Sequence, residues 1–199
     1  AENLIAATPG INYIYVFGQG RRTFAGNDFP KALGYPDNDE SADPAFLTSI
    51  MHSEDVQRLS DHNERLRVSK PGEVIPFEFR VKHADGHWVW LETRETVHKR
   101  SKDKNMKEVL GIALDISSRK RVEERLQYDA LHDSLTGLRN RLAFTEHLQQ
   151  THRDFLRYPD QNYAVLFIDL DRFKAINDSY GHAAGDHVLT VTAKRVQDR

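Results

Sequence analysis

The chain has no cysteine. That excludes disulfides, zinc-thiolate sites and any photochemistry requiring a cysteine adduct, and it suits a reducing cytosol without requiring one. Long apolar runs are scarce as well: the longest, Tyr163 to Ile168, falls far short of the roughly 20 residues needed to cross a bilayer. No membrane-spanning or signal segment is therefore expected, and a cytoplasmic location is. Because the sequence opens on Ala1-Glu2 with no initiator methionine, it reads as an excised piece and leaves an upstream anchor open. An excess of one charge is also lacking. The 28 Lys and Arg against 30 Asp and Glu leave a net charge of −2, so no global field favours nucleic acid or an anionic membrane. What is present is an ordinary globular composition, 39% hydrophobic and 29% charged over 199 residues, enough for one large or two small domains, each with a core.

From Ile11 to about Ile116, short alternating runs separated by turn residues, with a polar helix-like interval near residues 41 to 69, predict a mixed module of strands and helices. The clearest hairpin sets Phe77 to Val81 and Trp88 to Leu91 about Asp85-Gly86, a dipeptide that tolerates positive φ. A third run, Glu108 to Ile116, follows the polar stretch Lys99 to Lys107 and completes a three-strand meander. Asp115-Ile116-Ser117 marks the first boundary, giving a domain over 1–116. Residues 117–130 are charged and strongly helix-forming, with Val122, Leu126 and Ala130 on one face. Arg119, Lys120 and Arg121 oppose the positive end of the helix dipole, and Glu123 and Glu124 offer i,i+4 compensation, so the start is expected to be marginal. A helix that transmits a change and a solvated linker with no switching role both fit.

In the remaining 131–199, Gly137 breaks the pattern and Asn140 can cap a new helix. Phe144, Leu148, Thr151 and Phe155 then recur at helical spacing until Pro159, predicting a helix that buries one face. Tyr163 to Leu170 reads as a buried strand, on which Asp169 and Asp171 share a side. The stretch FIDLDRFKAINDSYGHAAGD at 167–186 places carboxylates, a lysine and an amide on one strand-to-helix unit, which suggests a nucleotide and magnesium site. Singly, these residues are what a strand end, a helix cap and glycine turns carry anyway; it is the joint spacing that core packing has no need for.

The first segment resembles a PAS domain with a PAC tail, through YVFGQGRRTFAGNDFPKALGY at Tyr15 to Tyr35, IMHSEDVQRL at Ile50 to Leu59, FEFRVKHADGHWVWLETR at Phe77 to Arg94 and GIALDISSRKRVEERL at Gly111 to Leu126. The second resembles the N-terminal part of a GGDEF domain, through LHDSLTGLRNR at Leu131 to Arg141 and FIDLDRFKAINDSYGHAAGDHVL at Phe167 to Leu189. The resemblance implies an α+β chain: a PAS domain with an antiparallel sheet and short helices, a connecting helix, then a truncated α/β GGDEF domain. Ser134 and Arg139 stand where the family often has proline. The Gly-Gly-Asp/Glu-Glu-Phe hairpin is expected just beyond Arg199, and the product-inhibition motif is missing with it.

Such domains, as diguanylate cyclases, condense two GTP, each 3′-hydroxyl attacking the other α-phosphate. The resemblance assigns Asp169 as a Mg²⁺ carboxylate and the Leu170 carbonyl as a backbone metal ligand, which suits an ion that prefers oxygen donors. It assigns Lys174 to the negative charge on the transferring phosphate. Asn177 and Asp186 match the guanine readers, an amide and a carboxylate facing a donor edge that adenine lacks. His182 and Phe173 match further substrate contacts, and the amides of Arg172 to Lys174 would face phosphate.

No ligand of the first segment is identified by the sequence. His52 precedes a helix start at Ser53-Glu54-Asp55, while His83 and His87 flank the Asp85-Gly86 turn and are expected to be exposed. Trp88 and Trp90 share a strand face, for which core or inter-domain packing is the expectation. Arg94, His98, Lys99, Arg100, Lys102, Lys104 and Lys107 cluster, yet interspersed acids and few stacking aromatics argue against nucleic acid. The reading is a cytoplasmic, homodimeric PAS-regulated diguanylate cyclase, with this chain a sensor plus an incomplete catalytic part, inactive alone. The alternative is a sensory and dimerisation module with a degenerate GGDEF domain, regulating a downstream phosphodiesterase. If the chain ends at Arg199, the strand at residues 163 to 170 is expected to be disordered, swapped or dimer-packed for want of neighbours.

Overall fold

The computed structural model describes residues 10–16, 21–25, 29–36, 45–100, 107–158, 160 and 162–198. It divides into two compact units, Ala1–Arg121 and Val122–Arg199. Pro159, Lys102 and Lys104 lie outside the described residues.

In the first unit, β1 (Ile11–Val16), β2 (Arg21–Ala25), β3 (Val74–Lys82), β4 (Trp88–Arg100) and β5 (Lys107–Asp115) form one sheet in the order β2-β1-β5-β4-β3. All its pairings are antiparallel. The expected meander is therefore present, joined on its β5 side by the N-terminal hairpin. Alternation sorts the faces: Ile75, Phe77, Phe79 and Val81 of β3 and Val89, Leu91 and Val97 of β4 are buried. Against that face lie α1 (Phe29–Ala32), α2 (Phe46–Ile50) and α3 (Ser53–Val68), which contribute Phe29, Leu47 and Leu66 to the core. His52 caps α3, its side chain accepting from the Glu54 N–H at 3.3 Å.

β3 is an edge strand, and an unpaired edge invites association. Here the start of α3 covers it. The His52 N–H donates to the Arg80 carbonyl at 3.0 Å, and the Arg80 N–H donates to Asp55 Oδ2 at 2.9 Å. The Arg80 Nε donates to the same oxygen at 2.8 Å and Arg58 Nη1 to Asp55 Oδ1 at 2.7 Å. Asp55 is fully buried; burial alone pushes its carboxyl up, but the bonds from Arg80 and Arg58 outweigh it and hold the group below the usual carboxylate range.

Of the two packings expected for the tryptophans, the core one is not formed. Val89 and Leu91 take the core, so Trp88 and Trp90 fall on the opposite face. Trp88 meets the His52 ring edge-on at 5.0 Å, and the Arg80 guanidinium and Lys120 ammonium lie 5.1 and 5.0 Å from the Trp90 ring centroid.

A single residue, Ile116, separates β5 from α4 (Ser117–Leu131). The joint is stitched to β4: the Ile116 N–H donates to the Trp90 carbonyl at 2.9 Å, the Trp90 N–H to Ser117 Oγ at 3.0 Å, and the Ser117 N–H to Asp115 Oδ1 at 2.8 Å. The basic first turn is compensated from the sheet, a set of partners beyond the expected Glu123 and Glu124. Arg119 Nη2 reaches Glu78 Oε1 at 2.8 Å and Glu92 Oε2 at 3.2 Å, and Lys120 Nζ reaches Glu78 Oε2 at 2.7 Å. The Lys120 and Arg119 bonds hold Glu78 below the usual carboxylate range. Local sequence spacing cannot show partners that arrive from strands some 30 to 40 positions upstream.

The second unit carries α5 (Arg141–Arg157), α6 (Phe173–Tyr180) and α7 (His182–Gln197). Asn140 caps α5 as expected, accepting from the Ala143 N–H at 3.1 Å, and its Nδ2 donates to the Ala130 carbonyl at 2.8 Å. One amide thus joins the end of α4 to the start of α5. Between them Asp133 Oδ1 accepts from Thr136 N and Oγ1 at 2.9 and 2.7 Å, and Gly137, at φ 70°, donates to the Asp133 carbonyl. The expected buried face of α5 is not formed: among the described residues only Ala143 is buried in this helix.

Residues 162–170 are likewise not a buried strand. They form no regular element, and Leu166, Phe167 and Ile168 are 82%, 93% and 71% exposed. An apolar run becomes a strand only where a neighbour takes its backbone hydrogen bonds, and among the described residues of the second unit no strand stands beside it. The alternation expected to put Asp169 and Asp171 on one side therefore does not apply. Tyr163 is anchored, its ring edge-on to Phe155 at 5.7 Å and its hydroxyl 2.9 Å from His152 Nδ1.

Candidate nucleotide site and sensor cavity

The residues expected to handle nucleotide lie along a turn–helix–turn–helix path. After Asp169 and Leu170, residues 171 and 172 make a tight turn in which Arg172 adopts left-handed backbone geometry, φ 58° and ψ 23°. It is the one non-glycine at positive φ among the described residues, and such geometry costs about 1 kcal/mol. The turn is closed by the Phe173 N–H donating to the Leu170 carbonyl at 3.3 Å. Leu170's carbonyl thereby faces the start of α6, with one lone pair engaged and one left for a second partner.

Phe173, Lys174 and Asn177 lie within the first five residues of α6, with Lys174 exposed and Phe173 and Asn177 half-buried. Gly181, at φ 83°, ends α6 and begins α7, its N–H donating to the Asn177 carbonyl at 2.9 Å. The sharp corner folds α7 back on α6. Gly185 is buried there, and a methyl group built on it would overlap the Asn177 side-chain oxygen and lie 3.2 Å from the Phe173 ring. Glycine at 185 is thus what lets Asn177 and Phe173 pack against α7 one residue before Asp186, which is exposed. His182 opens α7 and is exposed.

The corner brings Phe173, Asn177 and the Gly185-Asp186 turn of helix together. Asp169 precedes it on the irregular segment and is exposed. An exposed carboxylate next to a backbone carbonyl is a hard oxygen donor set, which fits Mg²⁺.

A second candidate lies in the sheet core of the first unit, where sequence reasoning named no residue. Tyr13, Gly111 and Glu95 are register partners across β1, β5 and β4. Gly111 leaves no Cβ in the way, so the Tyr13 ring crosses it and donates its hydroxyl to Glu95 Oε1 at 2.6 Å. The other carboxylate oxygen meets His62 Nε2. His62 and Glu95 are both buried, and the imidazole stacks on Phe77 at 4.6 Å. Among the described residues His62 Nδ1 finds no partner. The group borders a cavity of about 20 Å³ lined by Tyr13, Phe29, Leu47, Phe77, Thr93 and Glu95, among others, room for about one water molecule. The legible signal was Glu95 on the inward parity of a strand whose other inward residues, Val89, Leu91, Thr93 and Val97, carry no charge.

Two family models match the chain: "PAS fold" over residues 22–113 and "Diguanylate cyclase, GGDEF domain" over residues 130–199. Diguanylate cyclase DgcM of Escherichia coli K12 is 42% identical over 130 residues, covering 64% of this chain and 30% of that protein. The bifunctional diguanylate cyclase/cyclic di-GMP phosphodiesterase MucR of Pseudomonas aeruginosa is 48% identical over 68 residues, covering 34% of this chain and 10% of that protein. The crystal structure of the N-terminal domain of a diguanylate cyclase with PAS/PAC sensor from Marinobacter aquaeolei is similar at a TM-score of 0.47 and 20% identity, covering 56% of this chain and 98% of that one. The chain spans less than a third of the length of DgcM. Among the described residues, no helix is long and apolar enough to cross a membrane.

Proposed function

Since the chain joins a PAS-fold segment to a GGDEF segment, we propose that it belongs to a cytoplasmic diguanylate cyclase in which the PAS unit governs how two GTP-loaded units meet. The observation that carries this is the α6–α7 corner, where Gly185 admits Asn177 and Phe173 beside Asp186. Asp169 and the Leu170 carbonyl would hold Mg²⁺, which would supply positive charge to the phosphates. Lys174, exposed on the first turn of α6, places an ammonium where negative charge grows on the transferring phosphate. Asn177 and Asp186 select guanine through its donor edge, and His182 and Phe173 flank the nucleotide. Each 3′-hydroxyl forms a bond to the other nucleotide's α-phosphorus as pyrophosphate leaves, so two units are required and the active form is a homodimer.

The 199 residues contain no Gly-Gly-Asp/Glu-Glu-Phe sequence, and this chain by itself is expected to make no product. The test is magnesium-dependent GTP turnover by the protein extended in its native reading frame. Cyclic di-GMP that vanishes on Asp169→Ala supports the reading; a folded dimer with no product overturns it in favour of a sensory module that regulates a phosphodiesterase. Retention of Asp169, Lys174, Asn177 and Asp186 together favours the cyclase.

A further inference from the structure

The β3–β4 turn carries a side-chain cluster that neither the sheet core nor the proposed nucleotide chemistry uses. Its sequence is His83-Ala84-Asp85-Gly86-His87. His83 Nδ1 lies 2.9 Å and His87 Nδ1 2.5 Å from the same oxygen, Asp85 Oδ1. One donor atom from each of the three residues falls within 4.8 Å of the others. Two imidazole nitrogens and a carboxylate converging on one point form a donor set for a transition ion.

The backbone holds this set in place. The His83 N–H donates to the His87 carbonyl at 2.8 Å and the Gly86 N–H to the His83 carbonyl at 2.9 Å, with Gly86 at φ 98°. The turn is also tied to the segment after α1, the Ala84 N–H donating to the Leu33 carbonyl at 2.9 Å. His83 packs against Gly34, where a methyl group would lie 2.8 Å from its ring. His83 is therefore a seated ligand, its side chain 26% exposed, while Asp85 and His87 are open at 62% and 57%.

We propose that this turn binds a divalent transition ion of the zinc and nickel class, held by His83, Asp85 and His87 with water completing the coordination. Without metal, both ring nitrogens lie against Asp85 Oδ1, His83 Nδ1 also accepts from the Asp85 N–H at 3.3 Å, and the rings stack at 4.6 Å. Binding at about 2.0 to 2.2 Å per ligand needs the donor atoms to part slightly, which the exposed Asp85 and His87 side chains do at little cost around the seated His83. Nitrogen donors disfavour Mg²⁺, so the site is chemically separate from the one proposed for nucleotide and does not rest on it.

The test is calorimetric titration of the 199-residue chain with Zn²⁺ alone, in excess Mg²⁺, together with Ni²⁺-induced broadening of its amide NMR spectrum. One ion is expected, with Lys82 to Trp88 broadened first. Asp85→Asn keeps a turn-forming side chain and removes the anionic ligand; it and His87→Ala are each expected to weaken binding at least about tenfold with the remaining amide resonances in place. Equal affinity in all three proteins, or broadening centred on other histidines such as His147 and His152 of α5, overturns the proposal.

Discussion

Replacing Asp55 with alanine tests how the sheet edge is closed. The carboxylate is fully buried and accepts from the Arg80 backbone N–H, from Arg80 Nε and Nη2, and from Arg58 Nη1, at 2.9, 2.8, 3.2 and 2.7 Å. Losing it strands a backbone donor at the edge of β3, worth about 1 to 3 kcal/mol. It also removes half of the anionic partnership of Arg80, which keeps Glu54 at 2.6 Å. A fully buried pair broken on one side costs about 3 to 5 kcal/mol; because Arg80 retains Glu54 and is partly exposed, and Arg58 turns to solvent freely, the expected loss is about 3 kcal/mol. Both tryptophans, Trp88 and Trp90, lie on β4, so urea unfolding followed by tryptophan emission reports on the first unit by itself. Asp55→Asn, which keeps an acceptor, is expected to lose less. The carboxyl is held below its unfolded value, so its contribution is complete above the ordinary carboxylate range and disappears as pH falls through its lowered folded value. The gap between wild type and Asp55→Ala is therefore expected to narrow as pH falls from about 4 through that lowered value, leaving the part due to the stranded backbone donor. A loss under about 1 kcal/mol at neutral pH, or a gap independent of acid, would refute the assignment of these bonds to stability.

Glu78→Gln removes the partner shared by Arg119 and Lys120; it is expected to cost about 0.5 to 1 kcal/mol and to speed amide exchange at the start of α4 without unfolding the sheet. Gly111→Ala places a methyl group in the path of Tyr13 and is expected to break the Tyr13–Glu95 bond, read as a lower urea midpoint than that of the wild type. Asn140→Ala deletes both the α5 cap and the bond to Ala130, a loss of about 1 to 2 kcal/mol visible as faster exchange at Ala143. Gly185→Ala is expected to displace Asn177 and weaken GTP binding by the extended protein while tryptophan-monitored unfolding stays unchanged; unaltered GTP affinity would sink the proposed role of the corner.

What could be read from sequence was whatever the chain writes locally. The turn dipeptide Asp85-Gly86, the alternation along β3 and β4, the Asn140 cap and the glycine corner before α7 depend on neighbours within a few positions. What was missed depends on distant partners. The sheet carboxylates that neutralise the first turn of α4, the parity that sends Trp88 and Trp90 away from the core, and the Tyr13–Glu95–His62 group all need the strand order, which no single segment contains. The run at residues 163 to 170 shows the same limit from the other side. Its composition is that of an interior strand, but composition supplies no neighbour, and the segment stays irregular and exposed.

The one-residue joint at Ile116 leaves no slack between sheet and helix. Along an unbroken α4, each added residue advances the chain by about 1.5 Å and turns it by about 100°, so a single insertion after Arg121 turns the rest of this helix to a new compass bearing about its own axis. Four insertions nearly complete a revolution and restore it. The length of such a helix is counted in turns: each residue adds azimuth along α4 itself, and a glycine and serine segment of equal length would add none.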